Sequence, residues 1–112
     1  MEITRPLDAA LRKAGAVWVA PTGRRPRLVW TLWRDGGFWV AVGGGEQDVP
    51  GLTDGASCTV TVRSSTTHAH LLDVPVVAAL VDPDDGTASA LAAARHNAQP
   101  RWTQVYRLTP TG

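Results

Sequence analysis

The alternation of hydrophobic and polar residues changes its period several times along this chain, and each change predicts a different element. Over residues 6–15, apolar side chains recur at helical spacing between a proline suited to a first turn and a glycine suited to the position after the last one. A second helix is predicted over 87–97, where an alanine-rich run follows three aspartates and ends near Arg95 and His96, as the helix dipole favours.

Between these segments, and after the second, the pattern is typical of β-strands. Runs rich in β-branched and aromatic residues are bounded by Gly, Pro and Asp. They predict six strands, over 16–21, 28–35, 38–44, 57–65, 71–81 and 103–110. The short connection Asp35-Gly36-Gly37 predicts that the second and third strands pair as a hairpin.

Two of these strands carry a further prediction about burial. In the fourth, Cys58, Val60 and Val62 alternate with polar residues, so one face should be buried. The fifth, over 71–81, is almost continuously apolar, which predicts burial on both faces with Pro75 at an edge or a bulge.

Strands joined mainly by short turns exclude a doubly wound sheet, because parallel strands need a crossover helix after nearly every strand. The sequence therefore predicts a mainly β fold, a six-stranded antiparallel barrel with two short helices. A length of 112 residues fits one domain spanning 1–112. With one cysteine, the chain cannot form an internal disulfide framework.

Charge and hydropathy narrow the classes of partner. Eleven basic and ten acidic residues give a net charge of +1, which disfavours a surface built for nucleic acid. The longest apolar run, 74–81, is far shorter than the roughly 20 residues that span a bilayer. We expect no secretory signal, because residues 1–6 include an acidic second residue and no apolar run follows them. We therefore expect a cytoplasmic protein with no membrane partner.

The usual catalytic and metal-binding patterns are weak. Cys58 falls on the apolar face of its strand, which predicts a buried structural thiol rather than a nucleophile. His68 and His70 could offer two imidazoles to a metal, but no further ligand stands at a recognisable spacing. The glycine run 43–45 lacks the Lys-Ser/Thr end of a phosphate-binding P-loop.

Arginines and hydroxyls form a first candidate site. Arg24, Arg25 and Arg27 lie in the turn before the second strand, while Arg63 and Ser64 begin a hydroxyl-rich stretch at the end of the fourth. Guanidinium groups and hydroxyls are the donors that bind a phosphate. The alternative is two solvated turns that never meet, and the sequence leaves both open.

Tryptophans form the second candidate feature, with five in a chain that has one Tyr and one Phe. On the second strand, Trp30 shares a face with Leu28 and Leu32, whereas Trp33 shares the other face with Val29. Apolar bulk on both sides of a barrel wall indicates a dimer interface, or a planar ligand held at one. The alternative is that these rings only fill a small core.

The order of these segments resembles the pyridoxamine 5'-phosphate oxidase-like family of split barrels, especially its small actinobacterial members. The resemblance covers residues 6–110 and rests on layout: "GAVWVAP", "RPRLVWTLWRDGGFWVAVGG", "CTVTVRS" and "VYRLTP". It implies a homodimer that binds FMN, a deazaflavin or haem in clefts at the dimer interface. Catalysis would then be flavin-dependent oxidation or reduction of a small substrate.

The resemblance also implies roles for particular residues. Arg25 stands at the family's phosphate-binding position, with Arg27 beside it and Arg63 and Ser64 as further candidates. Trp30 or Trp33 and the backbone of 40–45 would flank the ring. Trp30 replaces the Lys of FMN-binding relatives, and the glycine run replaces their Ser-Arg-Lys loop. These departures leave an altered cofactor open.

Three hypotheses follow from the sequence. The first is a flavin- or deazaflavin-binding oxidoreductase, and the second is a haem-binding or cofactor-free split barrel that binds rather than catalyses. The third is a small nucleic-acid-binding barrel, because arginines beside strand aromatics also grip single strands. The near-zero net charge disfavours this last class.

Overall fold

A computed structural model describes residues 15–43, 47–63, 71–94 and 102–111. The helix expected over 6–15 therefore lies outside the described residues, apart from Gly15. The described part contains seven strands and one helix, namely β1 (Ala16–Pro21), β2 (Arg27–Trp30), β3 (Leu32–Arg34), β4 (Gly37–Val42), β5 (Ser57–Arg63), β6 (Leu71–Val81), α1 (Asp85–Ala94) and β7 (Gln104–Pro110).

All the strands belong to one antiparallel sheet, with the order β2-β1-β5-β6-β7-β4-β3. Its two edges, β2 and β3, are consecutive in the chain and separated by Thr31 alone. The chain therefore runs directly from one edge of the sheet to the other, which closes the sheet into a barrel. The prediction of an antiparallel barrel is confirmed. There are seven strands rather than six because the expected second strand is broken at Thr31.

Two polar side chains hold this break, which we call the seam. The Trp30 backbone N–H donates to Gln47 Oε1 at 2.9 Å, while Gln47 Nε2 donates to the carbonyls of Trp30 and Ala41 at 2.9 and 3.1 Å. The buried Thr31 hydroxyl donates to the Trp39 carbonyl at 3.0 Å. At the seam a glutamine amide takes the place of a neighbouring strand and forms hydrogen bonds with the backbone on both sides of the break.

The predicted hairpin is present between β3 and β4, where Arg34 pairs with Gly37. Its two loop residues, Asp35 and Gly36, have φ angles of 53° and 73°. Two consecutive positive φ values are the mark of a type I′ turn, whose twist matches that of the flanking strands.

Apolar side chains form two clusters, one inside the barrel and one outside it. The interior cluster includes Phe38, the largest of the fully buried side chains, and the predicted inward residues of β5, Cys58 among them. In the outer cluster, Leu91 of α1 packs with Trp39, Ala41 and Val105. The helix therefore covers one side of the barrel and leaves the rest of the outer surface available for other contacts.

The expectation for β6 was wrong. Val74, Val76 and Ala78 are buried, but Val77 is 38% exposed because α1 covers a different part of the outer surface. Pro75 lies in a central strand, opposite Thr59 of β5, rather than at an edge. The Pro75 carbonyl accepts a hydrogen bond from the backbone N–H of Thr111, one residue past the end of β7. The N–H that a proline lacks therefore falls where the hydrogen bonds between β6 and β7 end.

The helix α1 begins two residues before the predicted start, and Asp84 caps it. Asp84 Oδ1 accepts a hydrogen bond of 2.7 Å from Thr87 N. The hydrogen bonds from Thr87, helped by the nearby Arg34 charge, lower the pKa of the Asp84 carboxyl below its usual value of 3.8. A carboxylate at this position also interacts favourably with the helix dipole.

A pH titration should reveal this cap. Because the folded pKa is lowered, the stabilisation is complete above the unfolded pKa and is lost as the pH falls through the folded one. Asp84→Asn keeps an acceptor oxygen but cannot titrate. Melting temperatures measured by circular dichroism from neutral pH to about pH 2 should therefore fall more steeply for the parent than for Asp84→Asn. Parallel curves would contradict this role.

Within the described part of the chain, no helix is both long enough and apolar enough to cross a membrane.

Candidate ligand-binding site

An exposed tryptophan marks the side of the barrel that α1 leaves uncovered. Trp18 of β1 is 42% exposed, and its register partner Leu28 of β2 is 57% exposed. The neighbours of Trp18 in the chain, Val17 and Val19, are fully buried in the interior. Because side chains alternate along a strand, burying these two valines directs the Trp18 ring outwards.

Beside this ring lies an open cleft of about 410 Å³, lined by Trp18, Arg25, Pro26 and Thr61, which we call the Trp18 cleft. Thr61 is the register partner of Trp18 on β5, and its hydroxyl donates to Asp73 Oδ1 at 2.7 Å. An indole, a proline ring and one guanidinium group can hold a flat ring and orient an anionic substituent on it.

A second cleft of about 280 Å³ adjoins the first at the end of the barrel, and we call it the arginine cleft. It is lined by Gly23, Arg24, Arg25, Arg27 and Pro50. Arg25 therefore lines both clefts.

The turn that carries these arginines is held in place by backbone contacts. The N–H and hydroxyl of Thr22 both donate to the Ser57 carbonyl, and Arg24 N donates to the Pro21 carbonyl at 2.9 Å. Gly51 has a φ of 90°, and a Cβ there would lie 2.8 Å from Arg24 Cγ. A glycine at this position therefore leaves room for the Arg24 side chain to pass.

The positive charge of the arginine cleft is not neutralised by nearby acids. Among the described residues, Arg24, Arg25 and Arg27 form no ion pair, whereas Arg34 and Asp35 do, at 3.7 Å. Three guanidinium groups without an ion pair, two on the turn and one on the first residue of β2, attract an anion and can donate several charge-assisted hydrogen bonds to it.

The structure brings together only some of the residues predicted for a site. Arg25 and Arg27 meet in the arginine cleft. The backbone of Arg63 pairs with Leu71 at the end of β5, two positions beyond Thr61, and its side chain and Ser64 lie outside the described residues.

The two predicted tryptophans lie elsewhere. Trp30 packs against Trp102, with 6.4 Å between ring centroids, on the side that α1 covers. Trp33 is 6% exposed and meets Phe38 edge to face inside the barrel. The ring at the cleft is instead Trp18, and the alternation in "AVWVAP" already places it opposite two valines.

The other sequence candidates add no chemistry to these clefts. Cys58 is buried, as predicted, and burial raises the pKa of its thiol, which disfavours the reactive thiolate. The described residues contain no group of three potential metal ligands. His68, His70 and His96 lie outside the described part of the chain, as do residues 44–46.

A further cleft, of about 450 Å³, lies between the end of β6 and the start of β7. Leu80 and Trp102 supply its apolar surface, and Asp82 is the charged group among its described lining residues. Since the described lining residues include this carboxylate and no cation, they do not suit an anionic ligand. We therefore place the candidate site at the two clefts that share Arg25.

Comparison with known proteins identifies a fold but no family. No protein-family model and no curated protein matches the chain. It is similar in structure to HutZ, described as the heme storage protein from Vibrio cholerae, with a TM-score of 0.65 and 14% sequence identity over 100% of this chain and 92% of that one. This likeness supports a split barrel, as the sequence predicts.

Proposed function

We propose that this chain is a cytoplasmic binding protein for a planar, anionic cofactor rather than a catalyst. The observation that carries the proposal is the sharing of Arg25 between a Trp-walled cleft and a cleft with three arginines. A flat ring would lie against Trp18, and its acidic substituents would reach Arg24, Arg25 and Arg27.

Haem is the ligand that we favour. It combines a flat apolar ring with two carboxylates, and the similar split barrel HutZ is described as a heme storage protein. The Trp18 cleft offers an apolar wall for the ring, and the arginine cleft offers donors for the carboxylates. When bound, haem would bring an iron centre whose reactivity depends on its axial ligands.

The described residues offer no axial ligand at these clefts. Cys58 and Tyr106 are each 4% exposed and belong to the barrel interior, so neither reaches the outer surface. The described contribution of the chain is therefore to bind and orient the porphyrin through its ring and its carboxylates.

A flavin is the second candidate, either FMN or a deazaflavin. The specific observation in its favour is the cluster of guanidinium groups, which also suits a phosphate dianion. The resemblance to pyridoxamine 5'-phosphate oxidase-like proteins also supports FMN or a deazaflavin as the cofactor. A bound flavin would supply hydride chemistry, and the protein would then be an oxidoreductase acting on a small substrate.

Absorbance titrations with haemin and with FMN test the proposal and separate its two forms. We expect Arg25→Gln to weaken binding roughly 10- to 100-fold, because a charge-assisted hydrogen bond is worth about 1.5–3 kcal/mol. Arg34→Gln is the matched control, since it removes an arginine that is not among the residues lining either cleft. Binding by Arg25→Gln as tight as by Arg34→Gln would refute the assigned site.

Neutral analogues test whether the anionic groups matter. Haemin dimethyl ester keeps the ring and loses both carboxylates, and riboflavin keeps the ring of FMN and loses the phosphate. We expect the parent protein to bind each analogue more weakly than the charged form, and this difference to shrink in Arg25→Gln. A parent protein that binds neither haemin nor FMN would overturn the proposed function.

A further inference from the structure

The cleft between the end of β6 and the start of β7 is separate from the proposed cofactor site, and we call it the Asp82 cleft. None of its described lining residues lines the Trp18 cleft or the arginine cleft. Its volume of about 450 Å³ falls within the range of small-molecule sites, roughly 300–1,000 Å³. An apolar cavity of about 150 Å³ already holds a benzene ring, so this cleft has room for a ring with a short substituent.

The apolar wall of the Asp82 cleft is partly uncovered and held in place. Leu80 is 47% exposed, and Trp102 is half-buried. The Trp102 ring meets the Trp30 ring at 6.4 Å between centroids and an interplanar angle of 52°. Val81 and Trp102 also pack against the outer cluster beneath α1. These contacts fix the indole, so the cleft offers a rigid aromatic surface with an aliphatic side chain beside it.

The charge of the Asp82 cleft is opposite in sign to that of the arginine cleft. Asp82 is exposed and forms no ion pair with another described residue. No described lining residue carries a positive charge. A carboxylate and an indole attract a cation in two ways, because the carboxylate has the opposite charge and the face of the ring is electron-rich. The exposed Gln104 adds an amide oxygen that can accept a hydrogen bond.

We propose that the Asp82 cleft binds a small organic cation, a primary amine that carries an aromatic or aliphatic group. The ammonium group donates hydrogen bonds to the Asp82 carboxylate, and the apolar group covers Leu80 and Trp102. A metal ion fits less well, because the described residues contain no group of three potential ligands. This site does not depend on the proposed cofactor.

Proton–nitrogen correlation NMR tests the site through the indole N–H signals, and Trp102→Phe identifies the signal of Trp102. Phenethylamine, which is an ammonium ion at neutral pH, is the probe, and phenethyl alcohol is its uncharged counterpart. We expect the amine to shift the Trp102 signal and to bind the parent at least about fivefold more tightly than the alcohol. Equal binding of the amine and the alcohol would overturn the proposal.

A charge variant locates the cation. Asp82→Asn keeps the size of the side chain and removes its charge, so it should weaken phenethylamine binding roughly two- to fivefold and leave phenethyl alcohol binding unchanged. Asp85→Asn is the matched control, because it makes the same change in an exposed aspartate that is not among the lining residues. Equal weakening in both variants would show that the amine responds only to net charge, which would overturn the assigned site.

An ammonium group can also come from a lysine side chain of another protein, and a third ligand separates the two sources. Nα-acetyl-lysine amide carries the ammonium on a flexible chain without a ring. We expect it to bind more weakly than phenethylamine, because it loses more conformational freedom and cannot stack on the indole. Tighter binding of the lysine derivative would assign the cleft to a protein partner and overturn the small-amine proposal. Loss of haemin or FMN binding bears only on the proposed function, since those ligands are assigned to other clefts.

Discussion

Replacing Gln47 with alanine should destabilise the protein by about 2–4 kcal/mol, because the change removes the side chain that spans the seam. Three hydrogen bonds are lost, two of them to the N–H and the carbonyl of Trp30, which is half-buried. An unsatisfied buried polar group costs roughly 1–3 kcal/mol. A domain with an ordinary free energy of unfolding, about 5–15 kcal/mol, would lose a large fraction of its stability.

Urea denaturation of Gln47→Ala against Gln104→Ala measures this effect. Gln104 is an exposed glutamine on β7, so its truncation should change stability by no more than about 0.5 kcal/mol. Equal unfolding midpoints for the two variants would show that water replaces the glutamine at the seam without cost. Gln47→Glu refines the comparison, because a carboxylate can accept from Trp30 N but cannot donate to the two carbonyls.

Phe38→Ala should have a larger effect than Gln47→Ala and lower the free energy of unfolding by about 3–5 kcal/mol. Phe38 is fully buried, and its ring meets Trp33 at a centroid distance of 4.8 Å and an interplanar angle of 64°. Truncation removes this edge-to-face contact and leaves a cavity in a barrel whose closed sheet cannot collapse to fill it.

The matched variant for this prediction is Phe38→Leu, which keeps most of the volume and should cost less than about 1.5 kcal/mol. With a urea dependence of roughly 1–3 kcal/mol per molar, the two variants should differ in midpoint by about 0.5 M or more. A Phe38→Ala protein as stable as Phe38→Leu would mean that the interior repacks around the missing ring.

Much of the arginine site could be predicted from the sequence, because it lies within one turn. Arg24, Arg25 and Arg27 are separated by so few residues that they must be close in space. The aromatic partner could not be predicted in the same way. The sequence analysis assigns the ring to Trp30 or Trp33, but Trp30 lies on the side of the barrel that α1 covers and Trp33 packs against Phe38 in the interior.

Residue pattern alone determined most of the local structure: the strand segments, the hairpin turn, the burial of Cys58 and the alanine-rich helix. Such features depend on backbone preferences and on a period of two or of 3.6 residues, which neighbouring residues set. Only the tertiary structure decided where the second strand breaks, because Thr31 bends the chain to join two sheet edges that are far apart in the strand order.

Tertiary structure also decided which apolar outer surface stays exposed. The apolar pattern of β6 predicts burial for both Val77 and Val81. Val81 packs against the cluster beneath α1, but Val77 remains 38% exposed. A strand specifies its two faces but not what lies over them, since that depends on where distant elements pack. For the same reason, the meeting of Trp18 and Arg25 with Thr61 follows from the pairing of β1 with β5 rather than from the sequence around any of these residues.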